Sequence, residues 1–281
     1  MIKKRSKIFS IANQKGGVCK TTTAITLAQY FATVAKKKVL IIDLDSQGNA
    51  SHGLGINKPT DGVYSILIKD TPIHAVMQPA RENLDIVTSS PRRTADTLSI
   101  NLMTEYQENA KFALSLAFGR FIEDNGYDYV FIDTPPAAGL LQMSAVILSD
   151  YIICPIIPRR FALEGLTEML ATYATIVRMP DLETPPVFFG VLPSLFDRSR
   201  KVTQTMMGHV VRMMGNDVSR ILPPILTDTK VEEGFERGLT IFEYFPNSPA
   251  VIGFEQEGSG PRNSLGRVGG YLHLVEIIGA L

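Results

Sequence analysis

Six short apolar runs recur along the chain, separated by longer segments with helical spacing or turn-forming residues. The runs predict β-strands, because a strand at the centre of a parallel sheet is apolar on both faces. The longer segments predict helices from apolar spacing, or from an Ala- and Leu-rich composition without Gly or Pro. The predicted strands are residues 8–12, 39–42, 84–90 (with a turn), 127–133, 151–157 and 187–192, and the predicted helices are residues 23–35, 96–124, 163–177 and about 200–214.

This alternation of strands and helices predicts an α/β fold, with a doubly wound, mostly parallel sheet and helices on both faces. The chain has 281 residues, enough to bury a large core, and we interpret residues 1–281 as a single domain. Residues 255–270 break the pattern with five glycines, a proline and two serines. That composition predicts a flexible loop.

The segment between the first strand and the first helix, residues 13–22, has the composition of a phosphate-binding loop. Its glycines let the backbone direct N–H groups at an anion, and the start of the helix adds a positive dipole end. Lys20 is placed to reach the outer phosphates of a nucleoside triphosphate, and the Thr21 hydroxyl to ligate Mg²⁺. The predicted nucleotide-binding residues of this loop are Lys15, Gly16, Gly17, Val18, Cys19, Lys20, Thr21 and Thr22.

Acidic residues follow two of the predicted strands. Asp43 and Asp45 come after residues 39–42, and Asp133 ends the strand at residues 127–133. Ligands of open α/β sheets bind at the carboxyl ends of the strands, and Asp133 there predicts a Walker B acid that holds Mg²⁺ through a coordinated water. A plain turn-capping role for the Asp43/Asp45 pair is the alternative.

Composition and charge limit the classes of function that the chain can have. The 28 basic and 28 acidic residues balance, so contact with nucleic acid requires a local patch. No apolar run reaches the roughly 18 residues of a membrane span, and the apolar stretch behind the basic N-terminus is too short for a signal peptide. Only Cys19 and Cys154 are present, without a Cys-x-x-Cys pair, which argues against disulfides and iron–sulfur sites. We expect a cytoplasmic protein.

Lys15 stands one residue before the first glycine, which gives the loop the pattern K-G-G-x-x-K-[S/T]. With D-L-D-S-Q-G-N at residues 43–49 and D-T-P-P at residues 133–136, the chain resembles the ParA/Soj/MinD family of deviant-Walker-A P-loop ATPases, in its ParA (partitioning) branch. The resemblance implies ATP and Mg²⁺ as cofactors. It also implies slow ATP hydrolysis that a partner stimulates.

The same resemblance assigns roles to individual residues. Lys15 would reach the partner's nucleotide across an ATP-sandwiched homodimer, and Asp45 would orient and deprotonate the attacking water. Asp43 would lie beside the metal shell. The resulting catalytic set is Lys15, Lys20 and Asp45; the metal set is Thr21, Asp43 and Asp133; the residues flanking the adenine are Pro223, Pro224 and Thr227; and the DNA-binding set is Arg198, Arg200, Lys201 and Lys230.

In that family the ATP-bound dimer binds DNA non-specifically. A ParB-like protein or another adaptor then stimulates hydrolysis and releases the dimer, so that a plasmid, chromosome or protein assembly is partitioned or positioned. The resemblance therefore implies a nucleoid-associated protein. Two departures stand out, since Cys19 replaces the glycine usual before the loop lysine and Ser46 replaces a proline.

Two alternatives stay open at the level of sequence. A MinD-like membrane-cycling ATPase uses the same site, but it needs a basic C-terminal helix, and residues 271–281 contain no Lys or Arg. A nucleotide-binding module with a decayed catalytic site is the second alternative, because Cys19 alters the loop.

Overall fold

A seven-stranded sheet forms the centre of the protein in a computed structural model, which describes residues 5–89, 95–159, 162–256 and 260–281. The strand order is β3-β4-β2-β5-β1-β6-β7, and every pairing is parallel except the antiparallel pair of β3 and β4. This topology confirms the predicted doubly wound, mostly parallel sheet. The strands are β1 Lys7–Ile11, β2 Val39–Asp43, β3 Gln78–Arg81, β4 Leu84–Val87, β5 Tyr129–Asp133, β6 Tyr151–Ile156 and β7 Val187–Pro193.

Helices cover both faces of the sheet. The P-loop helix α1 continues into a π-helical turn at Tyr30–Val34, and a 3₁₀ segment at Gln107–Phe112 joins α5 to α6. The helices are α1 Lys20–Gln29, α2 Asn49–Gly53, α3 Gly62–Lys69, α4 Ile73–Val76, α5 Ala95–Tyr106, α6 Ala113–Asn125, α7 Leu140–Leu148, α8 Ala162–Val177, α9 Lys201–Met213, α10 Thr229–Glu236, α11 Ile241–Tyr244, α12 Pro249–Ile252 and α13 Gly270–Gly279.

The predicted elements differ from the observed ones in several places, and α7 and α10 to α13 have no predicted counterpart. The first helix begins at Lys20 rather than residue 23, because the end of the phosphate loop already forms its first turn. The helical segment 96–124 is interrupted near Gln107, whose φ of 50° lies in the left-handed region. Residues 53–83, which carry no clear pattern, contain α3, α4 and the edge strand β3.

Alternate residues of β2 and β5 point into two of the three apolar cores that the described residues form. Phe9 and Phe131 stack at 5.5 Å on one face, where Phe31 of the π-helical turn lies 4.2 Å from the Tyr129 ring. The other face buries Leu40, Ile42, Val130 and Ile132 against α3, α5, α6 and α7. Because both faces of the sheet are buried, the sequences of these strands are continuous apolar runs. The carboxyl ends of β1, β2 and β5 are thereby fixed side by side.

The C-terminal part of the chain folds back onto the sheet. In the segment predicted as a flexible loop, Asn263 accepts hydrogen bonds from the backbone amides of Leu265 and Arg267 and donates one to the Ile252 carbonyl. Residues 257–259 of that segment lie outside the described residues, and the mobility of the loop stays a prediction. Helix α13 then buries its apolar face beside α1. Among the helices that the structure describes, none is both long and apolar enough to cross a membrane.

Substitution of Phe131 by Ala tests the aromatic core. The ring is fully buried at the centre of the sheet, so its removal leaves a cavity that we expect to lower the free energy of unfolding by about 3–5 kcal/mol. Chemical denaturation followed by circular dichroism measures the loss. The control is Leu116→Ala on α6, a residue that is 62% exposed and is expected to change stability by at most about 0.5 kcal/mol. Equal losses in the two variants would contradict this description of the core.

Candidate functional site

The loop between β1 and α1 adopts the backbone geometry of an anion-binding cradle. Gly17 has a φ of 70°, and Cys19, which precedes the first residue of α1, has φ 68° and ψ 29°. Both are in the left-handed region, which a residue with a side chain adopts only at a cost. Cys19 stands where the family pattern has a glycine, and its backbone keeps the left-handed geometry that glycine adopts readily. The Cys19 thiol is a poor nucleophile at neutral pH, since burial raises its pKa to about 11.

A buried asparagine that the sequence analysis did not single out supports this loop from behind. The Asn13 side chain donates to the Pro155 carbonyl at 2.7 Å and accepts from the Lys15 amide at 2.9 Å. Gly165 of α8 packs so closely that a Cβ there would lie 2.5 Å from the Asn13 side-chain oxygen. The start of the loop is therefore held between β6 and α8. Only the position of Asn13, directly after the first strand, was available as a sequence signal.

Two carboxylates lie side by side at the ends of β2 and β5. Asp43 and Asp133 are register partners, and both are fully buried. One Asp43 oxygen accepts the Asp45 amide at 3.0 Å, but its other oxygen and both Asp133 oxygens lack a well-formed hydrogen bond. Burial, followed by the charge of Asp133, holds the pKa of Asp43 well above its ordinary value. The pair is therefore poorly compensated by the protein alone.

Burial is also the main cause that raises the pKa of Asp133 to about 7; Asp45 adds to the rise, whereas the Thr21 hydroxyl and the Lys20 ammonium oppose it. Lys20 is 6% exposed and donates from Nζ to the Lys15 carbonyl at 3.1 Å. Burial lowers the pKa of Lys20, and the nearby Asp133 and Asp45 raise it in part. The structure thus brings the predicted lysine, threonine and acids together.

This donor set fits Mg²⁺ when phosphate oxygens and water complete the shell. Asp43 and Asp133 offer buried oxygens without hydrogen-bond partners, and the Thr21 hydroxyl lies at the start of α1. In the described part of the chain, no three His, Cys, Asp or Glu side chains are grouped as a metal site on their own. Mg²⁺ is commonly bound by one or two carboxylates together with substrate phosphates and several waters. The residues therefore suit a metal that arrives with a nucleotide.

Three cavities adjoin the loop. The first, of about 430 Å³, is lined by residues 16–22 together with Asp45, Gln47, Asn49, Pro136 and Phe235. The second, of about 530 Å³, is formed mainly by residues 225–236 and Tyr271. The predicted Thr227 lines this second cavity, whereas Pro223 and Pro224 do not. Lys15 lines neither of these two cavities but a third, of about 190 Å³, together with Arg159.

The predicted DNA-binding residues lie on two neighbouring loops or in the first turn of the helices that follow them, and a β-bridge between Phe196 and Leu226 holds the loops together. The four side chains differ in the contacts that their charged groups make. The Arg198 guanidinium lies 4.0 Å from the centre of the Phe254 ring, Arg200 pairs with Asp197 at 2.8 Å, and Lys201 is exposed at the start of α9. Lys230 is bound to Glu233 at 2.6 Å and is therefore the most neutralised of the four.

Comparison with known proteins agrees with this site. A family model described as an AAA domain matches residues 6–183, which include the loop and all three acids. The phosphate loop, the strand-end acids and the mostly parallel sheet together define a P-loop ATPase fold.

Two curated relatives define the family more narrowly. The chain is 34% identical to the chromosome partitioning protein ParA of Myxococcus xanthus (strain DK1622), over 78% of this chain and 75% of that protein. It is 32% identical to the sporulation initiation inhibitor protein Soj of Bacillus subtilis (strain 168), over 86% of this chain and 92% of that protein. The chain belongs to the ParA/Soj family of partitioning ATPases.

A solved structure supports the same conclusion for the fold. The putative plasmid partition protein BB_S35 of Borrelia burgdorferi B31, bound to AMPPNP, superposes with a TM-score of 0.67 at 26% identity. The match covers 84% of this chain and 91% of that one.

Substitutions of Cys19 test the left-handed turn before α1. Cys19→Gly and Cys19→Ala are expected to change affinity for a fluorescent ATP analogue by at most about threefold, because both tolerate this backbone better than a branched residue. Cys19→Val is expected to lose at least about tenfold, since β-branched residues strongly avoid positive φ.

Titration with the analogue measures the affinity, and thermal unfolding of each unliganded variant controls for loss of fold. Wild-type affinity in Cys19→Val would contradict the described backbone.

Proposed function

We propose that this protein is a ParA-like ATPase that dimerises with ATP, binds DNA non-specifically and partitions or positions a cargo. In this proposal a ParB-like protein or another adaptor stimulates hydrolysis and releases the dimer. The observation that carries the proposal is the arrangement at the sheet edge. Lys20 and Asp45 line the phosphate cavity, whereas Lys15 lines a separate cavity beside it. Similarity to partitioning proteins over most of the chain supports the same assignment.

ATP with Mg²⁺ is the proposed ligand. The loop amides and Lys20 would bind the phosphates, and Thr21, Asp43 and Asp133 would hold the metal, which supplies charge neutralisation for phosphoryl transfer. The two buried, under-compensated carboxylates support this assignment, because a cation gives them the partner that the protein lacks. The AMPPNP bound to the Borrelia protein supports the choice of an adenine nucleotide.

Asp45 is the proposed water-orienting residue. It is 9% exposed, it accepts the Gln47 amide through Oδ1 at 3.1 Å, and it lines the phosphate cavity. A carboxylate fixed in this way can accept a proton from a water that attacks the outer phosphate. The buried Lys20 would stabilise the charge that develops on the transferred group.

Lys15 supports the proposed dimer. It is half-buried beside the phosphate loop but does not line the phosphate cavity of its own chain. It lines a separate cavity of about 190 Å³ together with Arg159. That position suits a contact with the nucleotide of a second copy, as the family resemblance implies.

A DNA-binding role is favoured over membrane cycling by the placement of α13. Tyr271, Leu274, Val275 and Ile278 of this helix are buried in the core that contains α1. A membrane-binding amphipathic helix needs a free apolar face and a basic polar face. The apolar face is already used inside the protein, and we propose a nucleoid-associated location in the cytoplasm.

Asp45→Ala tests the hydrolytic step. We expect turnover to fall at least about 100-fold, while ATP binding and an ATP-dependent dimer persist on DNA. Phosphate release measures turnover, and sedimentation velocity with ATP measures the dimer. The control is Asp181→Ala, which removes an exposed acid that pairs with Lys111 and leaves turnover unchanged. Normal turnover in Asp45→Ala would assign the water to another residue, and a strictly monomeric protein with ATP would refute the dimer.

Replacement of Arg198, Arg200 and Lys201 by Ala tests the DNA-binding loops. Because each phosphate contact contributes about 0.9 to the salt slope, the triple variant is expected to bind DNA more weakly and with a slope shallower by about 2–3. Lys230→Ala is expected to have a smaller effect, since Glu233 already neutralises that lysine. Co-sedimentation with DNA in ATP, in ADP and without nucleotide, over a salt series, measures both quantities.

The matched control for the triple variant is Arg120→Ala on α6, whose side chain is 92% exposed. Unchanged affinity and slope in the triple variant would place the DNA contact on another face.

A further inference from the structure

We propose that Phe235 of α10 is a specificity-determining residue, whose ring packs against the ribose of the bound nucleotide. This inference rests on the proposed nucleotide binding. It identifies the part of the site that distinguishes a nucleoside triphosphate from an inorganic triphosphate. Phe235 belongs to no phosphate-binding or metal-binding group of the site. It is the residue of α10 that lines both cavities beside the phosphate loop.

The position of Phe235 follows from the way in which the two cavities meet. The cavity of about 430 Å³ contains the phosphate loop and Asp45, and the cavity of about 530 Å³ is formed by residues 225–236 and Tyr271. Cys19, Thr22 and Phe235 line both. In a nucleotide whose phosphates occupy the first cavity and whose base occupies the second, the ribose lies at the junction. The only large apolar side chain of these three is Phe235.

Close packing on one edge holds the ring at this junction. A Cβ added to Gly53 of α2 would lie 2.5 Å from Cε2 of Phe235 and 2.6 Å from Cδ1 of Ile25. The His52 ring lies 5.5 Å from the Phe235 ring, between their centres. The ring is therefore packed against α2 and α1, and a side chain at residue 53 would displace the Phe235 ring or the Ile25 side chain. A ring fixed in advance loses little conformational entropy on binding.

The chemistry of the second cavity suits a sugar and a base beside this ring. Ile225 and Leu226 supply apolar walls, and Asp228, Thr229 and Glu232 supply oxygen acceptors for hydroxyl groups. An aromatic face excludes water from the apolar C–H side of a ribose. Inorganic tripolyphosphate carries the phosphates but lacks these groups, so it cannot use the ring.

The experiment compares two probes on the same variants. ATP and inorganic tripolyphosphate, each with Mg²⁺, are titrated into the wild-type chain, Phe235→Ala, Phe235→Leu and Gly53→Ala. We expect Phe235→Ala to lose about tenfold in ATP affinity and Phe235→Leu to lose less, with tripolyphosphate affinity unchanged within about twofold. Gly53→Ala displaces the ring and is expected to reproduce the selective loss. The matched control is Phe245→Ala, an aromatic residue that is 46% exposed at the end of α11 and is expected to change neither affinity.

Thermal unfolding of each variant without ligand separates loss of binding from loss of fold, and Phe235→Leu and Gly53→Ala carry the test if Phe235→Ala does not fold. Wild-type ATP affinity in folded Phe235 variants would overturn the assignment. Equal losses for ATP and tripolyphosphate would also overturn it, because the damage would then lie in the phosphate loop. If the wild-type chain bound tripolyphosphate and ATP equally tightly, no nucleoside contact would exist; if it bound neither, the proposed nucleotide site itself would fail.

Discussion

The burial of two neighbouring carboxylates is the constraint on which the site depends. Asp43 and Asp133 are held in register by the pairing of β2 with β5, so neither can move away from the other without breaking the sheet. Removing like charges from water is unfavourable unless a cation or hydrogen-bond donors compensate them. Lys20 offers one positive charge, but burial lowers the pKa of its ammonium group. The sheet therefore holds two carboxylates together whose negative charge is fully compensated only when a further cation binds.

This arrangement explains why local patterns predicted so much of the site. The phosphate loop and the strand-end acids depend on residues that are close in sequence, and the parallel sheet brings them to one edge. The left-handed backbone at Cys19 could also be predicted, because the surrounding pattern normally has a glycine there and glycine adopts positive φ readily. Residues such as Asn13 and Gly165 were not, since their contact joins parts of the chain that are about 150 residues apart.

The same reasoning separates the predicted and unpredicted parts of the fold. The buried central strands can be recognised in the sequence as apolar runs. The strand β3 is short and polar, and it is extended only because it pairs with β4. Phe235 has an ordinary helical context, and only the packing of α10 on α2 reveals that it faces two cavities. The AAA domain model ends at residue 183, yet most of the second cavity comes from residues beyond it. The phosphate half of the site is therefore general to the family model, and the other half is built by the remaining C-terminal part of this chain.

The two edges of the sheet have a consequence for the behaviour of this protein at high concentration. At one edge, β3 carries Pro79, and Arg81 at its end is tied to Glu243 and to the carbonyls of Leu54 and Gly238. At the other edge, the Arg220 side chain caps the Phe188 carbonyl of β7. Blocked edges of this kind prevent strands of different molecules from joining. The bonded groups at both edges thus disfavour edge-to-edge pairing between copies of the chain.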